Sequence, residues 1–233
     1  MYLSGKKESA IENVDDKVYV RNCVLNSVIT FDDMQLMMYN EGKIGLYELV
    51  KVTDKEIIDV LSYARDYYKD KCQCLICKIN EEEKSFSERV IMENDDFMAY
   101  LPYFTDYPYG IFIASKEHRN KMIDFTDREK NNFAEILKSV TGTFDCLFDR
   151  PFPYMMNIHQ GPVNSPEYEG HEDYYHFHVE FYPPLRSKEK IKYYASSEMG
   201  AWAACNPASV EDTAAELREA YKRYLNKINC KEN

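Results

Sequence analysis

The stretch His176-Phe177-His178-Val179-Glu180-Phe181 alternates ionisable and apolar side chains residue by residue, and this pattern restricts the fold more than any other in the chain. In an extended strand successive side chains point to opposite faces. His176, His178 and Glu180 therefore share one face, and Phe177, Val179 and Phe181 share the other. The apolar side calls for a core against a sheet. Three ionisable groups on the opposite side are costly as mere packing, because each must keep its hydrogen bonds. Their grouping points to a site.

The surrounding chain supplies the rest of a sheet and its helices. Val18–Val20 and Cys23–Phe31 read as short strands, rich in β-branched and aromatic residues, after a polar and loosely held stretch over 1–16. Arg89–Asn94 and Phe97–Leu101 form a strand pair turned at Asn94-Asp95-Asp96, Tyr109–Ala114 a third strand, and Tyr154–His159 and Tyr174–Tyr182 two more. Two capping boxes, Thr53-Asp-Lys-Glu56 and Thr126-Asp-Arg-Glu129, open helices. The first carries Ile57, Ile58, Leu61 and Ala64 on one face and runs to Tyr68, before a charged break over 69–73. The second carries Phe133, Ile136, Leu137, Val140 and Phe144. Ser209-Val-Glu-Asp212 opens a last helix through Ala215, Leu217, Ala220 and Tyr224. The repeated Thr-Asp-x-Glu start is a faint internal echo, consistent with a duplicated module or with coincidence.

A formal net charge of −11 argues against a protein that tracks nucleic-acid phosphates, and no segment is apolar enough to span a bilayer. The opening Met-Tyr-Leu-Ser-Gly-Lys-Lys lacks an apolar signal-peptide run, so a cytoplasmic protein is expected. Seven cysteines without regular spacing do not form a disulfide framework. In a reducing compartment Cys74-Leu-Ile-Cys77 reads as half of a zinc site, with a redox pair as the alternative. The chain has five histidines, and His118 and His176, both following strands, are the candidates to complete it. Ten of the twenty tyrosines cluster over 100–109 and 168–194, either lining a polar-ligand pocket or covering half-buried strands.

The order Cys-x-x-Cys, Glu88-Arg-Val, Lys116-x-His118, then His-φ-His-φ-x-φ-φ-Pro resembles the histidine-triad superfamily. That resemblance implies an α+β fold, an antiparallel sheet with packed helices. It also implies a structural zinc ion on Cys74, Cys77, His118 and His176, with Cys72 as a substitute ligand, and a role for His178 as the histidine that attacks an α-phosphorus. Glu180 stands where a third histidine is usual. Such a glutamate is found in the C-terminal half of galactose-1-phosphate uridylyltransferases, and several further stretches are similar to that half. They are Phe152-Pro-Tyr154, Ile158-His-Gln-Gly-Pro162, His176 through Arg186, Lys192-Tyr-Tyr-Ala-Ser-Ser-Glu-Met199 and the Asn206-Pro segment.

What this second resemblance implies is specific. Residues 74–233 would be one complete module and residues 1–73 a partial N-terminal copy. The activity would be transfer of UMP between UDP-hexose and hexose 1-phosphate, in a homodimer that takes small-molecule substrates and no nucleic acid. His178, Glu180 and His159 would form the catalytic group, or hold a second metal, iron or zinc. Gln160 would contact phosphate, Arg186 would contact phosphate or brace the loop after Pro184, and Lys192, Tyr193, Ser197 and Glu198 would contact the hexose. The zinc would tie the sheet's edge to its central strand. The family's N-terminal His-Pro-His motif does not occur, and residues 1–73 contain no histidine. Three readings therefore remain: a uridylyltransferase relative with reduced or lost activity, a nucleotidyl hydrolase using His178, and a non-catalytic sugar-nucleotide-binding protein.

Overall fold

A computed structural model describes residues 11–14, 17–20, 29–30, 54–162, 169–195, 197–201 and 203–230, with side chains from Leu61 onward. Its centre is a five-stranded antiparallel sheet in the order β4-β5-β6-β8-β7. These strands are β4 (Val90–Glu93), β5 (Phe97–Tyr100), β6 (Phe112–Ser115), β7 (Met155–His159) and β8 (His178–Tyr182). A small meander of β1 (Ile11–Val14), β2 (Lys17–Val20) and β3 (Ile29–Thr30) precedes it, and a two-stranded ribbon of β9 (Leu185–Ser187) and β10 (Lys190–Ile191) follows. β1 falls in the stretch expected to be loose. It pairs with β2 from Ile11↔Val20 to Val14↔Lys17, a ladder that gives its polar backbone partners. Of the strand expected over Cys23–Phe31, the described part is Ile29–Thr30; Thr53 of the first capping box also lies outside the described residues.

The alternation in β8 is realised: Phe177, Val179 and Phe181 are 0%, 0% and 1% exposed. They join Phe97, Ala99, Ile111 and Ile113 in the main core. Burying each large side chain is worth about 1.5–3 kcal/mol, so a slip of one residue, which would swap them for histidines and a glutamate, is strongly disfavoured. Helix α3 (Asp127–Leu147) closes this face with Ile136, Val140 and Phe144, and Phe133 and Leu137 pack beside them. Its capping box is present in full: Thr126 Oγ1 accepts from Glu129 N–H, and Thr126 N–H donates to the Glu129 carboxylate. Helix α5 (Val210–Asn229) lies against α3. Its buried stripe is Ala214, Leu217 and Ala220, not Ala215, because spacings of three keep those residues on one side.

Two helices were misplaced by periodicity alone. α1 spans Asp54–Lys71, three residues beyond Tyr68, and α2 (Leu75–Phe86) has no counterpart among the expected elements. Its run Asn80-Glu-Glu-Glu-Lys reads as solvated, yet Ile79 is buried with Met98, Tyr100, Phe112 and Ala114 on the sheet's second face. The chain turns between the helices at Cys72, whose φ of 52° ends α1 in the left-handed conformation, with Cys72 N–H on Tyr68 C=O. Strand β6 begins at Phe112 instead of Tyr109, and the segment before β8 is a single 3-10 turn, His171–Asp173, plus irregular chain.

Candidate metal and nucleotidyl-transfer site

The second face of the sheet carries the ionisable groups in rows set by register. Ala114, His178 and His159 form one row across β6, β8 and β7, and Phe112, Glu180 and Asn157 form the next. His176, two residues before His178, precedes this ladder and lies over the start of α2.

There Cys74, Cys77, His118 and His176 converge, with ligand atoms all within 4.8 Å of one another. Cys77 Sγ is 3.4 Å from His118 Nδ1 and 3.3 Å from His176 Nδ1, and Cys74 Sγ is 3.8 Å from His176 Nδ1. A zinc tetrahedron with Zn–S near 2.3 Å and Zn–N near 2.05 Å has S···N edges of about 3.6 Å, so the donor set and its size fit. The outer nitrogens are already used. His176 Nε2 is 2.9 Å from Ser115 C=O, and His118 Nε2 is 2.8 Å from Glu172 C=O. Donation to those carbonyls leaves both Nδ1 lone pairs facing the cysteines. Cys74 caps α2, where the helix dipole favours a thiolate. Hydrogen bonds from Cys77 and then from His118 and His176 drive its thiol far below the ordinary value. The same Cys74 contact raises the His118 pKa. Cys72 is exposed and outside the cluster. The cysteines come from a helix on the sheet's face, so a bound ion ties that helix to the central strands and not to a sheet edge.

The second cluster is His159, His178 and Glu180. His178 Nδ1 donates to His176 C=O at 2.8 Å, leaving Nε2 as its outward atom, 3.1 Å from Glu180 Oε1. The rings of His159 and His178 stack 4.7 Å apart at 7°. His159 Nε2 has no hydrogen-bond partner and lies 3.7 Å from Glu180 Oε2. Burial, reinforced by the neighbouring His178, lowers the His159 pKa to about 4. Burial pushes Glu180 up, but the His178 hydrogen bond and the two imidazoles outweigh it, and the carboxyl ends below the usual range. Tyr182 donates its hydroxyl to Glu180 Oε2. The period of two that exposed the trio extends to Tyr182. Ser115, beneath His176, carries no such signal.

The remaining expected residues fall elsewhere. Gln160 accepts from Met122 N–H at 3.4 Å, directed toward the chain after His118. Arg186 is exposed on β9. Lys192 and Glu198 pair with each other: Lys192 Nζ is 2.9 Å from Glu198 Oε1, with both side chains about 95% buried. Tyr193 and Ser197 are exposed beside this pair, Ser197 as the first residue of the short helix α4 (Ser197–Ala201).

An antiparallel sheet with α3 and α5 on one face, and a Cys2His2 set beside a His-His-Glu cluster on the other, defines an α+β protein of the uridylyltransferase fold. A solved structure of a uridylyltransferase matches with TM-score 0.66 and 29% identity, over 75% of this chain and 54% of that one. Residues 59–228 match the family model described as galactose-1-phosphate uridyl transferase, C-terminal domain, and the chain belongs to that family. A galactose-1-phosphate uridylyltransferase of Thermotoga maritima is 42% identical over 155 residues, 66% of this chain and 47% of that protein. One from Saccharomyces cerevisiae is 37% identical over 115 residues, 49% of this chain and 30% of the relative. The chain thus spans less than half the length of these curated relatives. Among the described residues no helix is long and apolar enough to cross a membrane.

Proposed function

We propose that this chain transfers UMP between UDP-hexose and hexose 1-phosphate, as a homodimer in the cytoplasm, with His178 as the nucleophile. The observation that carries this reading is the fixed tautomer of His178. With Nδ1–H committed to the His176 carbonyl, Nε2 carries the lone pair and is the reacting atom, and the Glu180 carboxylate 3.1 Å away stabilises the positive charge the ring gains on attack. Nε2 then forms a bond to the α-phosphorus while the bond from that phosphorus to the bridging oxygen breaks. Hexose 1-phosphate leaves and a uridylyl-histidine remains. Attack by a second hexose 1-phosphate reverses the step. The names and 42% identity of the relatives support the substrate class. Residues 1–73 fit as a partial first repeat, Gln160 and Arg186 as phosphate contacts, and Tyr193 and Ser197 as groups near the hexose.

Zinc is the ion that two thiolates and two imidazoles in a closed, buried set select, and Cys74, Cys77, His118 and His176 would hold it for stability. A second reading places iron or zinc at His159, His178 and Glu180, favoured by the buried, unpartnered His159 Nε2 aimed at Glu180. Both readings need Nε2 of His178, so the two roles exclude each other at any instant. The test is incubation of purified protein with UDP-glucose and galactose 1-phosphate, with UDP-galactose and protein mass followed together. Product and a uridylylated His178 peptide, both lost in His178→Ala, are expected. No product from folded, zinc-loaded protein overturns the transferase reading, and product surviving in His178→Ala moves the nucleophile elsewhere.

A further inference from the structure

The chain entering β8 lies before the strand ladder, and four of its carbonyls are taken by side chains instead. Glu172 C=O accepts from His118 Nε2 at 2.8 Å, Tyr174 C=O from Cys74 Sγ at 3.5 Å, and His176 C=O from His178 Nδ1 at 2.8 Å. The fourth donor belongs to neither cluster. Asn120 Nδ2 donates to Tyr175 C=O at 3.1 Å, on the peptide that joins Tyr175 to His176. Asn120 is buried where three histidine-bearing segments meet. It follows His118 by two residues, and its own C=O accepts at 2.9 Å from the N–H of Gly161, two residues beyond His159. The neighbouring Arg119 C=O accepts from Phe177 N–H at 2.7 Å, so the chain is gripped on both sides of His176. The amide has one seat, because a methyl group at Gly161 would collide with Asn120 Oδ1. Oδ1 is buried without a hydrogen-bond partner. A buried amide with an unused acceptor is unfavourable as mere packing, and what it supplies is the Nδ2 bond.

From this arrangement we infer that Asn120 is a positioning residue serving both clusters through the Tyr175–His176 peptide. Holding that peptide sets two groups at once. One is the His176 ring, whose Nδ1 faces Cys74 and Cys77. The other is the His176 carbonyl, which keeps the His178 hydrogen on Nδ1. Without Asn120 Nδ2 the Tyr175 carbonyl turns to find another donor, and ring and following carbonyl shift with it. A metal then loses a well-placed ligand, and His178 loses the acceptor that keeps Nε2 free of hydrogen. The catalytic consequence rests on His178 as nucleophile of the proposed transfer, and the metal consequence on zinc in the Cys2His2 set. The effect on the His178 tautomer needs neither.

The test uses the full, zinc-loaded chain as wild type, Asn120→Ala, Asn120→Leu and Gly142→Ala. Asn120→Leu fills the space without a donor. Gly142→Ala crowds Tyr224 between α3 and α5, on the sheet's other face, and controls for lost stability alone. Zinc affinity is read by competition with a chromogenic chelator. The His178 tautomer is read by NMR of the imidazole nitrogens in isotopically labelled protein, its signals assigned by their absence in His178→Ala. Both Asn120 variants should bind zinc roughly tenfold more weakly, the lower end of what partners behind metal ligands contribute. They should also show His178 partly with its hydrogen on Nε2, and Gly142→Ala should show neither change. Asn120 variants that only lose thermal stability, as Gly142→Ala does, overturn the positioning role. Weaker zinc binding with an unaltered His178 tautomer overturns the link between the clusters. In the transfer assay run alongside, both Asn120 variants should lower kcat with KM for hexose 1-phosphate preserved. A raised KM with kcat preserved puts Asn120 on the substrate and overturns its positioning role. A wild type inactive in transfer, with the zinc and tautomer differences present, rejects the transferase reading and keeps the role of Asn120. A wild type that takes up no zinc ends the metal reading, and the tautomer comparison then decides alone.

Discussion

At the scale of single residues, tautomers and protons decide what each site can do. His176 and His118 have their outer nitrogens on backbone carbonyls, so both Nδ1 atoms are presented to the cysteines. Cys74→Ser should therefore release the metal and cost about 3 kcal/mol or more, measured by metal analysis and urea unfolding. Cys205→Ser, at an exposed thiol outside the cluster, should stay within about 0.5 kcal/mol of wild type. Glu129 offers a cleaner pH prediction, since it is not itself in either cluster. Burial raises its pKa, but hydrogen bonds from Thr126 and the Arg119 partner lower it further than burial lifts it. A carboxyl with a folded pKa below its unfolded value of about 4.3 stabilises fully above that value, and the contribution fades as pH falls through the folded pKa. Glu129→Gln should thus be less stable by about 1–2 kcal/mol at pH 7. The difference should close below about pH 4, as read from unfolding curves across that range.

At the scale of elements, one close junction is α3 on α5. A methyl group at Gly142 would stand 2.2 Å from Tyr224 Cε2, so the helices meet where one lacks a side chain. Gly142→Ala gains about 1 kcal/mol of helix propensity, yet overpacking costs about 1–3 kcal/mol. We expect net destabilisation by thermal unfolding. In a Tyr224→Leu background the same change should be neutral or stabilising, because the obstructing ring is gone. The α1–α2 turn is the second decisive junction. A left-handed Cys72 and an N-capping Cys74 place both thiols of the Cys2His2 set at the start of α2, where Ile79 anchors the helix to the sheet.

At the scale of the whole molecule, the Cys2His2 set joins segments far apart in sequence: the start of α2, the chain after β6 and the entry to β8. An ion bound only by the folded arrangement adds its binding free energy to stability. Stripping zinc with a strong chelator should lower the Tm by about 10 °C or more, since about 2–4 °C accompanies each kcal/mol at this size. Zinc should restore it, and calorimetry with and without chelator checks both. The His-His-Glu cluster should respond differently, because stacked rings and a bonded carboxylate already satisfy most of it. Its occupancy should change His178 reactivity and leave the Tm nearly unaltered.

The sequence by itself determined the sheet's polar and apolar faces, the capping box of α3, and the identity of nearly every residue in the two clusters. These are local properties: a period of two assigns faces, a Thr and a Glu three residues apart satisfy helix donors, and ligand chemistry is written in residue type. Only the tertiary structure decided which further partners those residues take. Periodicity in a charge-rich run cannot reveal α2, since Asn80 and Glu83 are buried beside Ile79 on polar partners, Ser115 C=O and Arg89, that lie outside the run. Nor can spacing show that Lys192 and Glu198 face each other, or that Tyr182 reaches back to Glu180 while its ring rests on Tyr107. Those partnerships join residues up to 75 positions apart. Their energies are set by burial and direction, which exist only once the chain has closed on itself.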